Sequence, residues 1–271
     1  MGSRKHLGRG LADVSHVFLS RRHSPPEGAT APAGAPAPAG APGAVAPHLF
    51  VASGSEVIGK SVVACNVALE LARRGRRTAV VDADPSLPTV RLLMGTVLGQ
   101  GEGPARLAVD GGHTLSVFDT LPEAMEADEA WEYVVVNTPN RVFVGNGPPV
   151  GAARLLLVVS PEARALIRAY AVAKRAAGWY AGLRLGVVVS GGGGEASARA
   201  FFAQFLEVLE RQIAVRPVYC GFLPGHDEVG RSVLSRVPAV LAPGASELGE
   251  RLRAIAAAVA RVFEPAGSAK R

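Results

Sequence analysis

The nine residues Ser53-Gly54-Ser55-Glu56-Val57-Ile58-Gly59-Lys60-Ser61 constrain this chain more than any other stretch. An apolar run, His48-Leu49-Phe50-Val51-Ala52, leads into them, and a helix-like run from Ser61 to Arg74 leads out. Strand, glycine-bearing loop and helix in that order make a phosphate cradle, because the N–H groups and the dipole at a helix start both attract anions. Lys60 suits neutralisation of phosphate charge and the Ser61 hydroxyl suits ligation of magnesium. A second apolar run, Thr78-Ala79-Val80-Val81, delivers Asp82-Ala83-Asp84, a pair of acids that also suits a plain strand-ending turn. Two loop residues argue against phosphate. Glu56 sets a carboxylate against like charge, and Val57, branched at Cβ, resists the positive φ that glycine adopts in such loops.

The 271 residues, 48% of them hydrophobic, suffice for one large domain plus an appendage. No run of about 18 apolar residues occurs, so a membrane span is not expected, and the N-terminus lacks the apolar stretch of a secretory signal. Two cysteines, Cys65 and Cys220, give no disulfide framework and no metal-ligand cluster, which fits a reducing, cytoplasmic compartment.

The net charge of +6 invites a nucleic-acid reading, yet half of it lies in residues 1–47, before the expected domain. Residues 1–23 are basic, and Leu7, Leu11, Val14 and Phe18 recur there at the spacing of a short docking helix. Residues 24–47 are almost wholly Ala, Pro and Gly, too poor in bulk to build a core, and read as a disordered linker. Extended at about 3 Å per residue, the linker would let the first segment reach roughly 70 Å. Residues 48–264 form the expected domain and 265–271 a C-terminal tail.

Within the domain, strands are expected at 48–53, 77–82, 114–119, 132–137, 154–160, 184–190 and 217–220. Helices are expected at 60–74, 87–94, 121–130, 161–177, 195–212 and 246–263. This alternation predicts an α/β fold, a mostly parallel sheet with helices on both faces. The continuously apolar runs Tyr133 to Val136 and Leu155 to Val159 suit strands covered on both sides. Ligands in such sheets bind at the strands' carboxyl ends, where Ser53, Asp82, Asn137, Ser160 and Ser190 fall. In the last helix Leu248, Leu252, Ile255 and Val259 make one stripe, the mark of a core-packing helix; the same stripe with Arg251, Arg253 and Arg261 also suits a membrane surface, a less favoured reading.

Several segments together resemble the MinD/ParA-type ATPases with a deviant Walker A loop. They are Ser53-Gly54 with Gly59-Lys60-Ser61, Asn66-Val67-Ala68, Gly75-Arg76-Arg77-Thr78-Ala79-Val80-Val81-Asp82-Ala83-Asp84 and Leu92-Leu93-Met94-Gly95. Pro161-Glu162, Ala169-Tyr170-Ala171, Lys174 and Gly221-Phe222-Leu223-Pro224 with Asp227 resemble the MinD and flagellar-number (FlhG-like) branch. The resemblance spans about residues 48–263. It implies a P-loop NTPase fold, ATP or ADP with magnesium held between two subunits, and work through protein partners.

The same resemblance implies site roles. Residues Gly54 to Ser61 would surround phosphate, Ser61 and Asp82 would serve magnesium, Asp84 would orient the attacking water, and Ser190 would stand by the base. The family loop reads K-G-G-x-G-K-[ST], so Ser55 occupies the signature lysine's place, and Glu56 and Val57 those of two glycines. Glu132-Tyr133-Val134-Val135-Val136-Asn137-Thr138-Pro139 resembles the family's apolar strand ending in D-T-P, with Asn137 in place of the acid. An amide accepts a hydrogen bond from a metal-bound water but brings no negative charge. Ser190 replaces an asparagine, and Arg168 stands where the FlhG-like branch carries aspartate.

These departures favour a pseudo-ATPase, a positioning or regulatory scaffold that has lost most of its hydrolytic chemistry and binds a nucleotide weakly or none. The alternatives are an active but atypical ATPase relying on Lys60, Ser61 and Asp84, and a nonspecific DNA binder of the partition type. A tyrosine kinase of the related branch, suggested by Asp84 and Pro88, is disfavoured because residues 263–271 hold no tyrosine. Expected partners are a protein that meets residues 1–23 or the domain surface, a second copy, or an intact paralogue. Leu7-Gly8-Arg9-Gly10-Leu11 also resembles the opening of ParB-type partition partners.

Overall fold

The computed structural model describes residues 48–54, 59–83, 89–96, 104–127, 130–139, 154–180, 182–191, 193–242, 244 and 246–264, with only the backbone at His226. The N-terminal segment, the linker and the C-terminal tail therefore lie outside the described residues.

Among the described residues eight strands form one sheet: β1 (His48–Ser53), β2 (Thr78–Asp82), β3 (Ala105–Val109), β4 (His113–Phe118), β5 (Tyr133–Asn137), β6 (Arg154–Val159), β7 (Arg184–Ser190) and β8 (Val218–Leu223). Their order is β3-β4-β2-β5-β1-β6-β7-β8, and every neighbouring pair is parallel except β3 with β4. The helices are α1 (Lys60–Arg73), α2 (Thr89–Leu93), α3 (Leu121–Glu126), α4 (Ala163–Trp179), α5 (Glu195–Ile213), α6 (His226–Ser235) and α7 (Glu247–Val262). The α/β fold expected from the sequence is thus the observed one.

Continuous apolar strands work here because successive side chains leave opposite faces and both faces are covered. Leu49, Val51, Val80, Val135 and Leu156 point into a core shared with α1, α2, α6 and α7. Phe50, Ala52, Val81, Val136 and Leu157 point into another, shared with α3, α4 and α5. Helix α1 lies so deep that every residue from Val62 to Ala72 is buried.

Helix α7 spends its apolar stripe on this interior. Leu248, Leu252, Ile255 and Val259 are all buried, with the helix laid on α1 and β8, and Ser246 caps it by accepting the Gly249 N–H at 3.0 Å. That burial excludes the stripe from a membrane surface. Among the described residues no helix is long and apolar enough to cross a membrane.

Several boundaries differ from expectation. Strand β3 has no counterpart in the expected strands: it is an edge strand, half exposed, joined to β4 by Asp110-Gly111-Gly112 with both glycines at positive φ. Its five residues alternate too briefly to stand out, although the Asp-Gly-Gly turn was a usable hairpin signal. Strand β8 runs three residues beyond the expected 220, because Gly221 interrupts the apolar run while still pairing with β7 through a register shift. Helix α6 was also unforeseen: ten residues with only Val229 and Val233 turned to the core carry little periodic signal. Helix α3 stops at Glu126 and α2 spans only five residues, both shorter than expected.

Candidate functional site

Register delivers the site residues to one level. Val51 and Asp82 both lie opposite Asn137, so the carboxyl ends of β1, β2 and β5 come together beside the first turn of α1. The β5 backbone continues the pairing beyond the strand, with the Thr138 N–H donating to Val51 O at 3.1 Å and the Ala83 N–H to Asn137 O at 3.2 Å.

At that level four described side chains are joined in one polar network. The Asn137 amide donates one N–H to Asp82 Oδ1 at 3.0 Å and the other to Thr89 Oγ1 at 3.1 Å. Thr89 donates to Ser61 Oγ at 3.1 Å, and Ser61 donates to Asn137 Oδ1 at 3.4 Å. The amide orientation follows from chemistry, since a carboxylate only accepts and the NH2 must face Asp82. The second carboxylate oxygen accepts the Val90 N–H at 2.8 Å. Asp82 and Asn137 are 3% and 1% exposed, and buried polar groups of this kind are stable only when paired. The Asp82 charge also reaches Cys65: burial first, and this charge second, push the thiol far above its ordinary pKa, so it is neutral and unreactive.

Thr89 is the member that sequence reading missed. It is the first residue of α2, and a hydroxyl at the start of a helix following an acidic strand end was the available signal. A fork-to-fork pair positions it: Arg91 donates from Nε to Asp119 Oδ1 at 2.6 Å and from Nη2 to Asp119 Oδ2 at 2.8 Å, tying α2 to the end of β4.

The start of α1 is built for close approach. Gly59 has φ 103°, a left-handed value that favours glycine, and a Cβ there would stand 2.7 Å from Leu223 Cδ1. Gly59 at the N-cap brings no side chain and, among the described residues, no acid lies in the first turn, so the N–H groups and dipole there favour an anion. Lys60 Nζ donates to Thr138 O at 2.6 Å, which draws the ammonium across α1 towards β5. Gly54, at the other end of the loop, abuts helix α4: a Cβ there would meet Ala165 O at 2.3 Å and Ala169 N at 2.4 Å.

The remaining expected residues divide. Ser190 is buried, its Oγ 3.6 Å from where a Gly59 Cβ would stand, so it packs under the helix start. Arg168 is exposed on α4. Ser55, Glu56, Val57, Ile58 and Asp84 lie outside the described residues.

Magnesium wants near-octahedral oxygen ligands and usually one or two carboxylates. Here Asp82, the buried carboxylate among the described residues of the site, already accepts two N–H groups, and the Ser61 hydroxyl sits between Thr89 and Asn137. These described residues do not fit a magnesium ion as they stand. Among the described residues no three His, Cys, Asp or Glu side chains converge on a metal position.

Comparison with known proteins agrees with the architecture. FleN, the antiactivator of Pseudomonas aeruginosa, is 27% identical over 214 residues, covering 68% of this chain and 75% of FleN. MinD in the MinC:MinD cell division complex of Aquifex aeolicus superposes with a TM-score of 0.58 at 18% identity, over 78% of this chain and 95% of that one. The septum site-determining protein MinD of Pyrococcus horikoshii, determined with Mg-ADP, gives 0.55 at 14% identity over 77% and 94%. The model of the CobQ/CobB/MinD/ParA nucleotide binding domain matches residues 49–267, and this chain belongs to that MinD/ParA-type P-loop family.

Proposed function

We propose that this chain is a MinD/ParA-like scaffold that holds a nucleotide without hydrolysing it and works by binding a protein partner. One observation carries the reading: the residue facing Ser61 and Asp82 at the end of β5 is Asn137, whose amide donates to the aspartate. Hydrolysis in P-loop enzymes needs magnesium to bridge the phosphates and gather the developing charge. An amide supplies no charge to hold that ion. The uncapped start of α1 and Lys60 keep what phosphate binding needs.

The relatives support the partner role. FleN bears the name antiactivator, and MinD of Aquifex aeolicus was determined together with MinC. By analogy the nucleotide sets a conformation that a partner reads, and turnover is dispensable.

Magnesium-dependent release of phosphate from ATP by the purified full chain tests the proposal. Turnover is expected at the level of buffer alone and unaltered by Asp84→Ala. Magnesium-stimulated turnover that Asp84→Ala abolishes overturns it in favour of an atypical ATPase.

A further inference from the structure

The network at the end of β5 goes further than the loss of an acid. We propose that the hydrogen-bond ring of Ser61, Asn137 and Thr89, closed onto Asp82, stands in for the magnesium ion, so that the site takes its nucleotide as the free, uncomplexed ADP or ATP anion. This inference rests on the nucleotide-scaffold reading above and specifies the ligand form of that same site.

An acid at position 137 would place two buried carboxylates about 3 Å apart, the separation of Asn137 Nδ2 from Asp82 Oδ1. Like charges so close need a cation or a shared proton. Asn137 removes the second charge and supplies donors in its place. Every hydrogen in the ring then has an acceptor: Ser61 donates to Asn137, Thr89 to Ser61, and Asn137 to both Thr89 and Asp82. The remaining oxygen of Asp82 takes the Val90 N–H. A magnesium ion at Ser61 would have to break the Ser61 bonds, and at positions 82 and 137 it would meet one carboxylate instead of two. A fully connected network holds one arrangement, and breaking one member strands its partners, above all at the buried Asp82 and Asn137.

Thr89 is what distinguishes a ring from a lone substitution. It both accepts from Asn137 and donates to Ser61, which binds α2, after the Asp82 loop, to α1, which begins at Lys60. With the ring closed, the charge of a phosphate group is met by Lys60 and by the N–H groups opening α1.

Calorimetric titration of the full chain with ADP and with ATP, in millimolar magnesium and again in EDTA, is the first arm of the test. Affinities that agree within about twofold in the two buffers support the inference; a loss of tenfold or more in EDTA overturns it. The second arm needs no nucleotide. Asn137→Asp should melt lower than the native chain in EDTA and recover by about 4 °C or more on adding magnesium or manganese, while the native chain is unmoved by either metal. A native chain stabilised by metal alone, or an Asn137→Asp protein indifferent to it, overturns the ring as a metal substitute. If Asn137→Asp does not fold in EDTA, folding on refolding into magnesium supports the inference, and failure to fold in both overturns it. Absence of nucleotide binding in either buffer refutes the scaffold reading instead, and the second arm then decides the ring by itself.

Discussion

The two ends of the sheet treat buried polar groups in opposite ways. At the carboxyl ends of β1, β2 and β5, Asp82, Asn137, Thr89 and Ser61 satisfy one another. At the amino ends, Arg154 is 1% exposed with Nε, Nη1 and Nη2 all unpartnered, and His48 is fully buried with Nδ1 unpartnered. Arg154 lies in register with Arg184, which donates instead to the backbone oxygens of Val262 and Glu264. Burial and the Arg184 charge lower the pKa of the Arg154 guanidinium. The polar groups at the carboxyl end stabilise the fold as a set, while those at the amino end cost stability singly, so substitutions at the two ends should differ in sign.

The largest effect belongs to Gly54→Ala. The added methyl would lie 2.3 Å from one α4 backbone atom and 2.4 Å from another, where nothing flexible can give way. A loss of about 3 to 4 kcal/mol in urea unfolding is expected. A loss below about 1 kcal/mol would show that α4 is free to move off the loop.

Acid is next, and it acts at the other end. His48 Nε2 faces Met125 Sδ at 2.8 Å, which fixes the proton on Nε2 and leaves Nδ1 bare. Burial and then the Arg154 charge push the pKa down to about 4 from an ordinary 6.5. The folded pKa is depressed, so the stability held above pH 6.5 is lost as pH falls towards 4, by about 3 kcal/mol in all. Comparing unfolding at pH 7 and pH 4.5 with that of His48→Gln isolates the effect; equal losses in the two proteins would contradict it.

Arg154→Met tests the sign directly. Replacing a buried, unpaired cation by an apolar chain of similar length should raise stability by about 2 kcal/mol. A fall of that size would mean that the guanidinium is compensated. Thr89→Val, a like-for-like change in shape at the paired end, should lower stability by about 1.5 kcal/mol, because it strands an Asn137 N–H and removes a donor to Ser61. Chemical denaturation of each protein reads both, and a stabilising Thr89→Val would break the contrast.

Much of this was legible in the sequence, for definite reasons. The central strands announce themselves because parallel strands buried on both faces are apolar without a break, as Tyr133-Val134-Val135-Val136 and Leu155-Leu156-Leu157-Val158-Val159 are. Asn137 could be singled out because it ends such a strand where the family resemblance implied an acid. Thr89 could not, since its role depends on Arg91 clamping a five-residue helix to Asp119, a contact between segments that share no local pattern. Gly54 was read as a loop residue for phosphate, whereas its closest neighbours are backbone atoms of α4, over a hundred residues away in the chain. The unpaired Arg154 was hidden for another reason: one basic residue opening an apolar run looks like an exposed strand end.

The most direct test of the metal-free scaffold is a crystal structure of the full chain grown with ATP and magnesium. Phosphates at the start of α1 beside Lys60, intact ATP, and the ring of Ser61, Thr89, Asn137 and Asp82 closed are the expected result. A metal ion about 2.1 Å from Ser61 Oγ, with the ring opened around it, would overturn the metal-free scaffold.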